Sequence, residues 1–228
     1  DTDRSRGLGD VYKRQENKSF KMQKGLLLNK KGTKLIWAVP AKNKITVPDS
    51  VTSIADNALK AGKATSVYLG KKVKMIGKDA IAGKKITKVS IAKKNKSIAK
   101  QGQCVYEKKS GKLLIAIAKK NVVKIGNKVK LISEDASLCG SRQLKKLDIG
   151  ASVKTLQGAW GEFYRAGYVT TKVYFRSKNP PKLTQNNDKN YCYLPIFRDV
   201  YVPKASLKKY KKWYKKNDAL QFARIKTF

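Results

Sequence analysis

The sequence predicts a β-rich repeat solenoid: a right-handed stack of short units with a parallel sheet, β-hairpin inserts and a capping helix near its C-terminal end. Three observations predict it. A long segment matches a later one at a fixed offset, a shorter unit recurs inside that match, and alternating apolar segments lie between the copies. A fixed internal period decides the architecture before any single element does, because one repeat cannot bury its apolar face alone.

The long match sets residues 18–58 over residues 96–136 without a gap, at a constant offset of 78. About a third of the positions are identical, including Leu35 with Leu113, Asn43 with Asn121, Val51 with Val129 and Ile54 with Ile132. Abundant lysine does not produce matched Leu, Asn, Val and Ile. Inside it recurs an eight-residue unit: VTSIADNA from Val51, VKMIGKDA from Val73, VKLISEDA from Val129 and VKTLQGAW from Val153. Neighbouring copies are 22 and 24 residues apart, within the range of about 20 to 29 residues typical of leucine-rich repeats.

Period-two alternation predicts half-buried strands near residues 45–47, 66–69, 88–91, 146–149 and 172–175. We expect them side by side in one parallel sheet, with Val67, Leu69, Val89, Ile91, Leu147, Ile149, Val173 and Phe175 inward. GLLLNKKGTKLIWAVP and CVYEKKSGKLLIAIA read as hairpins turning at Lys30-Lys31-Gly32 and Lys109-Ser110-Gly111. Residues 199–217 read as a strand, a proline and a lysine-rich helix with Leu207, Tyr210, Trp213 and Tyr214 on one side. That stripe suits a cap on the last repeat or, alternatively, an anionic membrane surface. One repeat buries five or six aliphatic side chains at about 1.5–3 kcal/mol each and orders some twenty residues at about 1–2 kcal/mol apiece, so only stacking makes the sum favourable.

These residues carry a resemblance. ITVPDSVTSIADNAL, from Ile45 to Leu59, resembles the BspA-like leucine-rich repeat, whose pattern runs from a strand through I-P-x-x-V-x-x-I-G-x-x-A-F to a turn. The resemblance covers roughly residues 20–228, and the tail is similar to the strand, proline and helix that close such arrays. Leu59, Ile81 and Ser137 depart from the family's Phe, and its Cys occurs only near Cys139. The resemblance implies secreted or cell-wall-associated proteins that adhere to host proteins, glycans or other cells, and it implies no reaction. Residues 1–15 show no repeat register, and DVYKRQ within them resembles a translated sequencing adapter, so this leader is set aside as an artefact. Residues 16–228 form a single array with a capping segment at about 199–228.

Composition narrows the function. Fifty-three Lys and Arg against 15 Asp and Glu give a net charge of +38, a field that draws acidic partners and weakens with salt. Lysine's predominance over arginine argues against base-specific readout. No histidine is present, and Cys104, Cys139 and Cys192 have no CxxC spacing, so no metal site or cofactor is expected, and the cysteines read as buried free thiols. Without histidine a Ser or Cys nucleophile lacks its usual base, and no enzyme activity is expected. Glu134-Asp135 fills the slot of Asp56 and Asp79 and reads as turn and helix-start capping. No apolar stretch reaches the ~18–20 residues of a membrane span.

The reading is therefore a non-catalytic, secreted or cell-surface adhesion module, monomeric, meeting host or microbial surface proteins, acidic glycans or anionic wall polymers. Alternatives are a polycation that binds nucleic acid without sequence preference and a structural wall-associated repeat. If Val67 and Leu69 face the core, the pleat turns a lane outward that includes Tyr68, Lys88, Lys146, Lys172, Tyr174 and Tyr201. Tyrosines give flat contact area and lysines give attraction, so this lane is the candidate ligand site; the alternative is an ordinary solvated sheet face.

Overall fold

The chain enters the fold through a three-stranded antiparallel meander, β1 (Phe20–Gln23), β2 (Leu26–Asn29) and β3 (Lys34–Ala38). The structure, a computed structural model, describes residues 17–39, 43–59, 63–141, 143–158, 171–184, 197–217 and 223–228. The predicted leader and Cys192 lie outside them. Gly32, in the expected turn, has φ +73° and donates its N–H to Asn29 O at 2.8 Å.

From β3 the chain winds between two walls. β4 (Lys44–Thr46), β6 (Ser66–Leu69) and β8 (Lys88–Ile91) form one parallel wall, while β5 (Ser53–Ile54) and β7 (Met75–Ile76) extend β3 in parallel on the other. The recurring Val-x-x-Ile unit supplies the turn between walls and the first strand residues of the second one. Val51, Ile54 and Val73 are buried there. The turns stack so closely that a Cβ on Gly70 would meet Pro48 O at 2.6 Å.

Two aspartates, Asp49 in the turn after β4 and Asp56 in the acidic slot, bond across repeats. Asp49 and Asp56 accept the backbone N–H groups of Lys71 and Lys78, each at 2.8 Å and 22 residues on. Glu134-Asp135 and residues 56–59 form the expected turns, but the helix start expected of this slot is corrected, since no helix follows; the Asp56 carboxylate holds the next coil of backbone instead.

A second meander, β9 (Ile98–Gln101), β10 (Cys104–Glu107) and β11 (Leu113–Ile117), repeats the first 78 residues later. Even the register shift recurs, at Leu27/Leu28 and at Val105/Tyr106. The environments differ. β1 is exposed throughout, whereas every residue of β11 is buried. Val105, Ile115 and Ile117 pack into the core of the first half, and Cys104, Leu113 and Ala116 into that of the second. Burial on both faces explains the continuous apolar run LLIAI.

Beyond it lie β12 (Val122–Ile125), β13 (Leu131–Ser133), β14 (Ser137–Cys139), β15 (Lys146–Ile149), β16 (Thr155–Gln157), β17 (Lys172–Phe175), β18 (Lys182–Thr184) and β19 (Asp199–Val202). Then come α1 (Leu207–Lys216) and β20 (Arg224–Thr227). β12, β15, β17, β19 and β20 make one parallel sheet, and β13, β16 and β18 the opposite wall. β14 joins β11 in parallel.

The single sheet expected from the sequence is therefore two. The second meander is packed between the halves and seals the β12 edge. Gln103 accepts the Lys124 N–H at 2.7 Å and donates to Val122 O at 2.8 Å and Ile117 O at 2.9 Å. The inward residues are buried as expected except Ile91, which is half-buried against the first core.

The tail stripe serves as a cap. Tyr210 and Tyr214 are fully buried, and the Tyr210 hydroxyl donates to Ser177 O at 3.1 Å. Phe175 lies 5.4 Å from the Tyr210 ring and edge-on to Trp213 at 5.9 Å. The chain does not end on this helix: β20 returns beside β19 and continues the sheet.

Candidate functional site

The outer face of the five-stranded sheet is ruled into cross-strand rows by its register. One row runs Lys124, Asp148, Tyr174, Tyr201, Lys226; the next runs Val122, Lys146, Lys172, Asp199, Arg224. Parallel in-register pairing places side chains of equal rank next to one another. Tyr174 and Tyr201 therefore stack, with centroids 4.5 Å apart and planes 8° from parallel. Phe228 adds a third ring, 6.0 Å from Tyr174.

Cations surround these rings. The Lys146 ammonium sits 4.2 Å from the Tyr174 centroid, and the Arg176 guanidinium lies over both Phe228, at 4.5 Å, and Tyr174, at 5.2 Å. Ring faces carry negative potential, so each such contact is attractive. Two carboxylates fix the arginines. Arg176 makes a two-pronged contact with Asp148 at 2.7 Å for each bond, and Arg224 one with Asp199 at 3.0 and 2.8 Å.

Burial pushes the Asp148 carboxyl up. The Arg176 hydrogen bonds and the charges of Arg176, Lys146 and Lys124 outweigh it and hold the group below its ordinary value. The Arg224 hydrogen bond likewise lowers Asp199, against a smaller effect of burial and with help from Lys226. Lys124 and Lys172 make no ion pair among the described residues, so the face keeps uncompensated positive charge beside the stacked rings.

Of the candidate lane, the structure brings Lys146, Lys172, Tyr174 and Tyr201 together. Tyr68 and Lys88 stand on the other sheet, where Tyr68 has Thr46 and Ser90 as cross-strand neighbours and Lys88 has Ser66. Arg176, Arg224, Lys226 and Phe228 were not among the candidates. The alternation of Arg224-Ile225-Lys226-Thr227 was a legible signal for β20, but nothing in it tells that Phe228 reaches Arg176.

Cys104 and Cys139 are buried. Burial pushes the Cys104 thiol up to about 11, and the Cys139 thiol donates to Ile81 O; both act as interior packing. Among the described residues no group of three or more His, Cys, Asp and Glu could hold a metal ion. No helix among them is long and apolar enough to cross a membrane.

Two solved structures resemble the chain. The pneumococcal vaccine antigen PcpA superposes with a TM-score of 0.40 at 15% identity, covering 93% of this chain and 49% of its own. A leucine-rich cell surface protein from Faecalibacterium prausnitzii A2-165 gives 0.41 at 15%, covering 84% of this chain and 59% of its own. The chain thus spans about half the length of these proteins. No curated protein sequence matches it. The BspA type leucine rich repeat region matches in six copies across residues 17–110 and 38–162, the stretch that holds both meanders and the stacked Val-x-x-Ile turns. With more than half its length in that match, the chain belongs to the BspA type leucine-rich repeat family.

Proposed function

We propose that this protein is a non-catalytic binding module, acting outside the cell or on its surface, which takes acidic ligands on the outer face of its five-stranded sheet. The location follows the resemblance of its repeats. The observation that carries the ligand reading is the Tyr174–Tyr201 stack held among Lys146, Arg176 and Lys226. The stacked rings give a rigid ridge of ring edges and hydroxyls for a sugar or a protein surface, and the cations suit its carboxylate or sulfate groups. Arg176 and Arg224 are already pinned by carboxylates, so little side-chain entropy is lost when a ligand arrives.

Tyr174→Ser/Tyr201→Ser tests this against a variant with two lysines of the opposite wall, Lys130 and Lys182, changed to Gln. Binding to a carboxylated glycan is measured across a salt series. The tyrosine variant is expected to lose at least tenfold in affinity at every salt concentration, while the lysine variant only flattens the salt dependence. Equal losses reduce the attraction to bulk charge. Tighter retention of DNA than of the glycan at physiological salt favours the polycation reading instead.

A further inference from the structure

The division of the sheet leaves two strand edges in the middle of the molecule, and the second meander treats them unequally. On β12 the outward groups are those of Val122 and Lys124, and all four are engaged. Gln103 takes the Val122 carbonyl and the Lys124 N–H, the Lys119 carbonyl accepts the Val122 N–H, and the Cys104 thiol donates to the Lys124 carbonyl.

On β8 the backbone groups of Lys88 and Ala92 turn toward β6, with Lys88 N–H bonded to Thr65 O and Ala92 N–H to Leu69 O. Strand alternation therefore turns the groups of Val89 and Ile91 outward. β8 pairs with β6 alone. Among the described residues only the Val89 carbonyl on that edge has a partner, the Lys100 ammonium at 2.8 Å.

A groove of about 380 Å³ runs along this edge, lined by Lys88, Lys93, Lys100 and Lys108 and by no carboxylate. Burial, and then the charges of Lys119 and Lys88, lower the Lys100 pKa, as expected of an ammonium among uncompensated like charges.

We propose that the β8 edge is a strand-addition site for an extended acidic peptide, which pairs its backbone with Val89 and Ile91 and sets its carboxylates against Lys88, Lys93, Lys100 and Lys108. A row of unpaired backbone donors and acceptors is matched by another extended chain and by no glycan or duplex. Lys100 holds the place of the incoming strand: its bond to the Val89 carbonyl is replaced by a peptide N–H, and the ammonium turns to a carboxylate. This site is separate from the aromatic face, so the two stand or fall independently.

The probe is a labelled octapeptide of alternating Glu and Thr, compared with its counterpart N-methylated at every residue, which keeps the charge and loses all N–H donors. Fluorescence anisotropy on the intact protein is expected to show the first bound at least tenfold more tightly. Ile91→Pro removes one outward N–H and no bond to β6 and should erase that preference, whereas Lys93→Gln/Lys108→Gln, which keeps the strand intact, should weaken both peptides at least threefold and leave their ratio unchanged. Tyr174→Ser/Tyr201→Ser should leave the preference unchanged. Equal binding of the two peptides, no binding of the first, or an affinity untouched by the lysine substitutions overturns the proposal.

Discussion

Replacing Gln103 by Ala should destabilise the protein by about 2–3 kcal/mol. Its side chain bridges the second meander and β12 through bonds to Ile117 O, Val122 O and Lys124 N–H, at 2.9, 2.8 and 2.7 Å. A net value near 1 kcal/mol per bond sums to about 3 kcal/mol, and water entering at the half-exposed side returns part of it. The molecule contains its own comparison. Gly25 occupies the corresponding position 78 residues earlier, where it lines a cavity of about 130 Å³ together with Lys44 and Thr46 of β4. Urea unfolding should show a lower midpoint with an unchanged slope, and hydrogen exchange at the Lys124 amide should accelerate. Gln103→Glu, which can accept but not donate, should be destabilised as well. A loss below about 0.5 kcal/mol, or an unaltered Lys124 amide, refutes the idea that this amide seals the edge.

Tyr210→Phe should cost about 1 kcal/mol in thermal unfolding, because it strips the bond to Ser177 O while keeping the ring packed on Phe175. Asp148 lies below its ordinary value, so its contribution is present above the usual carboxylate range and is lost as the pH falls through the folded-state value. Asp148→Asn should accordingly weaken the protein by about 0.5–1 kcal/mol at pH 7, allowing for solvent screening of Arg176, and by progressively less as the pH falls below the usual carboxylate range. Iodoacetamide at pH 8 should leave Cys104 and Cys139 unlabelled in the folded protein and label both in denaturant, as peptide mapping would reveal. Deleting residues 1–15 should not move the melting temperature, and a loss of more than about 1 kcal/mol would contradict their exclusion from the fold.

The stacked turns and the hairpins β2–β3 and β10–β11 were legible because they are local and repeated. Val51 and Val129 share one environment, and so do Leu35 and Leu113, so selection for burial leaves the same letters at a fixed spacing. The break between the sheets was not legible. It depends on the second meander packing between the two cores, a long-range event of which hydrophobic periodicity contains no information. β1 was missed because its alternation, Phe20-Lys21-Met22-Gln23, spans only four residues, all of them exposed. In the candidate lane, the stack of Tyr174 on Tyr201 follows from strand alternation plus repeat register, both readable. Tyr68 was grouped with them on the assumption of one continuous sheet, which the buried meander interrupts. The contact of Arg176 with Phe228 spans 52 positions and arises from the return of the chain after α1, a tertiary event with no local signature.

The claim that the aromatic face of the second sheet receives the ligand is tested most directly by mapping it. Amide chemical shifts of the isotopically labelled protein are followed during titration with a carboxylated oligosaccharide at physiological salt. The changes should concentrate on Lys146, Tyr174, Arg176, Tyr201 and Lys226, and should leave Tyr68 and Lys88 on the first sheet unmoved. Changes of similar size spread over the lysines of both sheets would contradict it.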